Sequence, residues 1–299
     1  MLSICIPVFN YDIRKLVMEI HKQVSALDIA FELLVYDDCS SSNSIVTNNS
    51  EIQELQNVRF KVLENNIGRS AIRNLLADDS QFPHILFLDA DVYPNSPDFI
   101  EKYFKHISAA TTIIYGGIQY QKNKPAADEM LRWVYGRERE VLTVKERLLK
   151  PHLRFLTLNF LISREAFNLL RFNENIPNLR HDDTLFALSA KNLGIPVLHI
   201  DNTVEHQGLE SSKIFLKKSS ESSQVLAHLV KSGLIEAKST KLSKTAGRLL
   251  RYKLATFIIS LQKTFRNRME ANLKSSQPSM ILFDFHRLGE YLKSFISVR

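Results

Sequence analysis

The sequence predicts an α/β protein built on a mostly parallel sheet and followed by a C-terminal helical region. Through the first half of the chain, short apolar runs alternate with stretches of helical periodicity. Strands separated by helices of about 10 to 15 residues are typical of βαβ units whose sheet is covered on both faces. From about Ser211 onward the pattern is helical, with breaks near Gly233 and Pro278.

Strands are predicted at 2–8, 31–36, 58–63, 84–88, 111–115, 156–163 and 197–200, and helices at 68–77, 130–149 and 184–192, with another helix ending near Ala26.

Several of the predicted strands in the first half of the chain are followed by polar residues. Because crossovers in such a sheet are right-handed, the carboxyl ends of the strands gather at one edge, where ligands of open α/β sheets bind. Asn10, the pair Asp37 and Asp38, and the pair Asp89 and Asp91 follow three of these strands.

Cysteine content and hydropathy limit the compartment that we expect. The only cysteines are Cys5 and Cys39, too few for a disulfide framework or a zinc site, and they fit a reducing compartment. The chain begins without a basic leader before an apolar run, and no uncharged apolar run approaches the roughly 20 residues that span a bilayer. We therefore expect a cytoplasmic protein.

The net charge of +7 comes from one segment, residues 237–269, which holds nine basic residues and, before Glu270, no Asp or Glu. Apolar residues recur in this segment at steps of three and four, as in an amphipathic helix. Two interpretations stay open. The helix could lie on the anionic inner face of the cell membrane, which would make the protein peripheral. It could instead pack on the rest of the protein and present a solvated basic face.

The pair Asp89 and Asp91 is a candidate metal site. Carboxylate oxygens suit Mg²⁺ or Mn²⁺, which keep waters and share their coordination with substrate phosphates. An isolated pair of this kind is more often part of a turn. Here the pair follows the fourth strand of a βαβ series, and that context favours a metal site.

Five motifs together resemble those of family 2 glycosyltransferases with the GT-A fold, over about residues 1–210. They are Ile6-Pro7-Val8-Phe9-Asn10, Asp37-Asp38-Cys39-Ser40, Asn66-Ile67-Gly68 with Arg73-Asn74, Asp89-Ala90-Asp91, and His181-Asp182-Asp183-Thr184. Each motif is weak alone, but five in the family's order form a specific signal. The resemblance implies a Rossmann-like sheet with a nucleotide-sugar half (1–115), an acceptor and catalytic-base half (116–210), and a helical region (211–299).

The resemblance also implies a reaction and a set of roles. A sugar would move with inversion from a nucleotide-sugar, with UDP favoured, to a saccharide or lipid-linked saccharide. The donor would contact Pro7, Asn10, Asp37, Asp38, Arg73 and Asp89; Mn²⁺ or Mg²⁺ would bind Asp91, Asp89 and His206; the general base would be Asp183; and the acceptor side would include Trp133, Asn159 and Asp182. Each role has a plain structural alternative, such as helix capping for Asp182 or Asp183.

Two positions depart from the family pattern. Cys39 stands where the family usually has glycine, so we expect the turn there to form without a positive φ. His181-Asp182 replaces the more common Gly-Glu before the base. Neither change removes a charge that the reaction needs.

Two other functions fit the sequence less well. A nucleic-acid-binding protein would act through the basic segment, but that segment matches no recognised binding module, so nucleic acid is not an expected partner. A sugar-phosphate nucleotidyltransferase would usually carry a glycine-rich loop after the first strand, and residues 7–11 lack one.

Overall fold

The structure is a computed structural model that describes residues 1–107, 112–175 and 181–297. Its strands are β1 (Leu2–Val8), β2 (Phe31–Asp37), β3 (Val58–Val62), β4 (His84–Leu88), β5 (Val92–Pro94), β6 (Ile113–Tyr115), β7 (Ile118–Gln119), β8 (Asn159–Ser163), β9 (Val197–His199) and β10 (Val204–His206). Its helices are α1 (Arg14–Ser25), α2 (Asn43–Ser50), α3 (Arg69–Asp79), α4 (Phe99–Lys105), α5 (Met130–Tyr135), α6 (Val144–Leu148), α7 (Arg164–Leu170), α8 (Asp182–Asn192), α9 (Ser212–Lys231), α10 (Lys241–Arg251), α11 (Ala255–Leu273) and α12 (Met280–Ser297).

Seven of these strands form one sheet in the order β3-β2-β1-β4-β8-β6-β9. The strands β1 to β4 run parallel, and β9 runs parallel to β6. Within this sheet, β8 runs antiparallel to its neighbours β4 and β6. The predicted α/β class with a mostly parallel sheet is confirmed. Thr111, the first residue of the strand predicted at 111–115, lies outside the described residues.

A second, three-stranded sheet has the order β5-β10-β7. The strand β10 runs antiparallel to β5 and parallel to β7. The register sets His206 opposite Val92, directly after Asp91. This small sheet therefore brings a late segment of the chain to the end of β4.

Alternate residues of the central strands enter two separate cores. Ile4 and Ile6 of β1 belong to one buried cluster, whereas Cys5 belongs to the other. In β2, Leu33 and Leu34 divide in the same way. Because successive side chains of a strand point to opposite faces, the large sheet is covered on both sides.

The predicted single helix over residues 130–149 is wrong. The chain forms α5, a π-helical turn at Gly136–Glu140, and then the separate helix α6. Thr143 starts α6 with a capping box, in which its side chain and that of Glu146 each accept from the other's backbone N–H. This local capping competes with a continuous helix. The helical region is also broken at Lys253, where φ is 59°.

The chain divides into two compact units. The first comprises the described parts of Met1–Gln121, Val141–Asn178 and Asp182–Gly208, and it contains both sheets. The second comprises the described parts of Lys122–Glu140, Leu179–His181 and Leu209–Arg299. Its core includes Leu131, Phe215 and Phe283. Within the described ranges, no helix is long and apolar enough to cross a membrane.

Candidate active site

The turns after β1 and β2 are tied together by side chains of the first two motifs. Asp37 accepts hydrogen bonds from the backbone N–H of Ser40 (2.6 Å) and from its hydroxyl (2.8 Å). The Asn10 side-chain oxygen accepts from the backbone N–H of Ser41 at 2.9 Å. Pro7 lies in β1 opposite Tyr36. These contacts fix the edge of the sheet at which donor binding was predicted.

Asp38 shapes the start of α3. Its two carboxylate oxygens accept from the backbone N–H groups of Ile67 (2.7 Å) and Gly68 (2.9 Å). Gly68 has a φ of 86°, a conformation that costs glycine little. Asp37 and Asp38 are both buried. Donor contact by either carboxylate stays a prediction.

The turn at Cys39 corrects one expectation. Cys39 adopts a φ of 61°, and Asn10 adopts a φ of 52°. The expectation that this turn forms without a positive φ is therefore wrong. Side chains of the two motifs hold the turn by hydrogen bonds, which offset the strain of a left-handed conformation at a residue with a Cβ.

The first acid of the Asp89-Ala90-Asp91 motif is held by Arg73. The Nη2 of Arg73 donates to Oδ1 of Asp89 at 2.5 Å, and its Nη1 lies 3.6 Å from Oδ2 of Asp182. Arg73 is only 2% exposed and lies over the ring of Phe172. Its guanidinium thus joins the motif at the end of β4 to the acidic pair at the start of α8. Contact of Arg73 with a donor stays a prediction.

Asp91 lies close to His206 because β5 pairs with β10. The Nε2 of His206 lies 3.5 Å from Oδ2 of Asp91, and its ring stacks on Tyr120. The backbone N–H of Gln207 donates to the carbonyl of Asp91 at 2.8 Å. A Cβ built on Gly208 would lie 2.5 Å from Oδ2 of Asp91. Glycine at 208 therefore keeps the space beside this carboxylate open.

Asp183 stands in the first turn of α8. One of its oxygens accepts from the backbone N–H of Thr184 at 2.7 Å. Burial first, and then the negative charge of Asp182, raise the pKa of Asp183 to about 6, although Arg69 opposes the change. A carboxyl group with such a pKa can take up a proton near neutral pH.

Arg69 is a second cation beside the acidic pair of α8. Its Nη2 lies 3.6 Å from Oδ2 of Asp182. The pKa of Arg69 is raised first by Asp182, and then also by Asp89, Asp183 and Asp91. Four carboxylates from two distant motifs therefore act on one guanidinium.

The donor atoms at Asp91 and His206 fit a divalent cation. A carboxylate oxygen and an imidazole nitrogen suit Mn²⁺, and Mg²⁺ accepts one or two protein carboxylates together with substrate phosphates. Among the residues that the structure describes, no group of three His, Cys, Asp or Glu side chains could hold a metal ion. Asp89, the third predicted ligand, bonds to Arg73.

Two residues predicted on the acceptor side have structural contacts. Asn159 is fully buried, and its amide donates to the carbonyls of Gly117 and Asn202 while its oxygen accepts from Tyr103. Trp133 belongs to the second unit, is mostly buried, and lies under the guanidinium of Arg137. Acceptor contact by Asn159, Trp133 or Asp182 stays a prediction.

Arg147 is a buried cation that sequence reasoning missed. Its guanidinium donates to the carbonyls of Tyr115 (3.2 Å) and Ile200 (3.0 Å) and lies over the Tyr115 ring. Burial lowers the pKa of Arg147. The residue therefore ties the end of β6 to the segment that follows β9. No feature of its sequence neighbourhood distinguishes it from other basic residues of helices.

The chain is similar to known glycosyltransferases. The model of the family described as Glycosyl transferase family 2 matches residues 3–170. An uncharacterized glycosyltransferase of Haemophilus influenzae is 27% identical over 161 residues, which cover 52% of this chain and 58% of that protein. The chain thus matches little more than half the length of this curated relative.

Two solved structures share the fold. A mannosyltransferase from Pyrobaculum calidifontis, in complex with GDP-Man and Mn²⁺, has a TM-score of 0.57 at 11% identity, with 99% of this chain and 87% of that chain covered. The glucosyl-3-phosphoglycerate synthase of Mycobacterium tuberculosis, in complex with Mn²⁺, UDP and glucosyl-3-phosphoglycerate, has a TM-score of 0.50 at 15% identity, with 77% and 79% covered.

Proposed function

Because this chain belongs to glycosyl transferase family 2, we propose that it transfers a sugar from a nucleotide-sugar to a saccharide or lipid-linked saccharide. The observation that carries the proposal is the position of Arg73 between Asp89 and Asp182. It sets the acids of the strand-end motif and those of α8 around one site. Sugar transfer requires the residues that bind the nucleotide-sugar to lie close to the residue that takes the proton from the attacking hydroxyl. The closeness of Asp89 and Asp182 to Arg73 therefore supports the proposal.

Asp183 is the proposed general base. As the acceptor hydroxyl attacks the anomeric carbon, its oxygen bonds to that carbon, its proton passes to the Asp183 carboxylate, and the bond to the nucleoside diphosphate breaks. A single displacement of this kind inverts the configuration. The raised pKa of Asp183 matches a base that works near neutral pH.

Asp91 and His206 would hold Mn²⁺ or Mg²⁺, with Asp89 nearby, and the cation would supply positive charge beside the donor diphosphate. Asn10, Asp37 and Asp38 would bind the base and ribose. A UDP-sugar is the proposed donor. Related folds are described in complex with UDP and with GDP-Man, so the test includes both nucleotides.

The test is a thermal-shift and turnover screen of the full chain. UDP-glucose, UDP-N-acetylglucosamine and GDP-mannose are each added with and without Mn²⁺, and nucleoside diphosphate release is measured beside the Tm. We expect at least one donor to raise the Tm in the presence of Mn²⁺. Asp183→Asn should keep that shift and lose turnover. If no donor raises the Tm in either metal condition, the proposal is wrong.

A further inference from the structure

The corner between α10 and α11 exposes three large apolar side chains. Tyr252, Leu254 and Phe257 are 69%, 47% and 63% exposed. The chain turns at Lys253, whose φ is 59°. Apolar groups clustered in water at one corner mark a contact surface more often than scattered single residues do.

The two helices that meet at this corner, α10 and α11, carry cations without acidic partners. Seven basic residues have no carboxylate within 4.0 Å among the described residues: Lys241, Lys244, Arg248, Arg251, Lys253, Lys263 and Arg268. The other two of the segment, Lys238 and Arg266, pair with Glu236 and Glu270. Three of the seven, Arg248, Arg251 and Lys253, lie at the corner itself, which is therefore both positive and apolar.

The exposed side of α11 extends this surface. Ala255, Gln262 and Met269 are buried at steps of seven residues, which defines the packed face. Phe257 and Arg268 lie on another side of the helix, where both are exposed. The side of α11 that carries Phe257 thus also carries one further exposed cation, Arg268.

We infer that this basic corner, residues 248–257, binds the surface of an anionic lipid bilayer. Phospholipid headgroups offer negative charge to Arg248, Arg251 and Lys253, and the adjoining acyl region accepts Tyr252 and Phe257. A second copy of the chain is disfavoured, because two such positive surfaces repel each other. A nucleic acid offers phosphates but no apolar layer for Leu254.

The test is flotation of the full chain with vesicles of phosphatidylcholine alone or with phosphatidylglycerol. We expect binding only to the anionic vesicles, weakened by salt. The triple variant Arg248→Gln, Arg251→Gln, Lys253→Asn should bind roughly a hundredfold more weakly. The matched control Lys145→Gln, Lys150→Gln, Arg154→Gln removes the same charge elsewhere and should bind nearly as well as the parent.

A second variant tests the apolar contribution at constant charge. Tyr252→Ser with Phe257→Ser should weaken vesicle binding at least about tenfold while thermal unfolding stays unchanged, because both side chains are exposed. The inference is overturned if the parent does not bind anionic vesicles, if the control triple loses as much binding as the corner triple, or if the chain binds single-stranded oligonucleotides in preference to the vesicles.

Discussion

Arg73 and Asp89 are joined by a 2.5 Å hydrogen bond between Nη2 and Oδ1. The arginine is almost fully buried, whereas the Asp89 side chain is 25% exposed. The buried guanidinium of Arg73, which also faces Asp182, orients Asp89 and leaves part of the Asp89 carboxylate exposed. The following predictions depend on this arrangement and its neighbours.

Replacing Arg73 should weaken both folding and turnover. In Arg73→Met, Asp89 and Asp182 lose a shared partner, and we expect a loss of about 2–3 kcal/mol in the free energy of unfolding. Turnover should fall about 10- to 100-fold, as for other residues that orient ligand groups. Denaturant unfolding and donor turnover measure the two effects. Arg171→Met breaks an exposed pair with Asp78 and should cost at most about 1 kcal/mol; an equal loss in both variants would contradict the prediction.

Turnover should depend on the ionisation of Asp183. The carboxylate accepts a proton only when it is ionised, so kcat/KM should fall as the pH drops through the Asp183 pKa of about 6 and level off above it. A pH–rate profile from about pH 5 to 8 measures this dependence. A flat profile over that range would count against Asp183 as the base.

The variant Asp183→Asn separates catalysis from folding. Because the folded-state pKa lies above that of an unfolded aspartate, the ionised group weakens folding increasingly as the pH rises from about 4 to about 6. Removing the charge should therefore leave stability at about pH 8 unchanged or increased, while turnover falls about 10²- to 10⁴-fold. A variant that lost turnover by unfolding would show a lowered Tm instead.

Gly208→Ala should impair cation binding. Its Cβ would lie 2.5 Å from Oδ2 of Asp91, so the carboxylate must move. We expect the Mn²⁺ concentration that gives half of the thermal shift to rise at least about tenfold. Gly247→Ala, where an added Cβ meets nothing within 4 Å, is the control and should leave the metal response unchanged.

Arg147→Met should destabilise the first unit. Methionine fills much of the space but leaves the carbonyls of Tyr115, Gly116 and Ile200 without this donor. We expect a loss of about 2–3 kcal/mol, measured by denaturant unfolding. The exposed Arg154→Met should stay within about 0.5 kcal/mol of the parent.

The strand ends could be predicted from sequence, whereas several side-chain partners could not. The run 84–88 and the acids after it identify the edge of the sheet, because apolar runs and their polar ends are local features. Only the family resemblance implied that His206 lies near Asp91, because their contact depends on the register of two three-residue strands, which no local pattern sets. The positive φ of Cys39 depends in part on the hydrogen bond between Ser41 and the distant Asn10. The role of Arg147 depends on which carbonyls the folded chain brings to it.

The pairing of β5 with β10 has a consequence for chimaeras. A breakpoint after residue 115 would keep Asp91 in one parent and take His206 from the other. Such a hybrid retains both side chains in its sequence, yet they meet only if Glu205 still aligns with Tyr93. Exchange of halves between relatives should therefore be planned around this strand alignment.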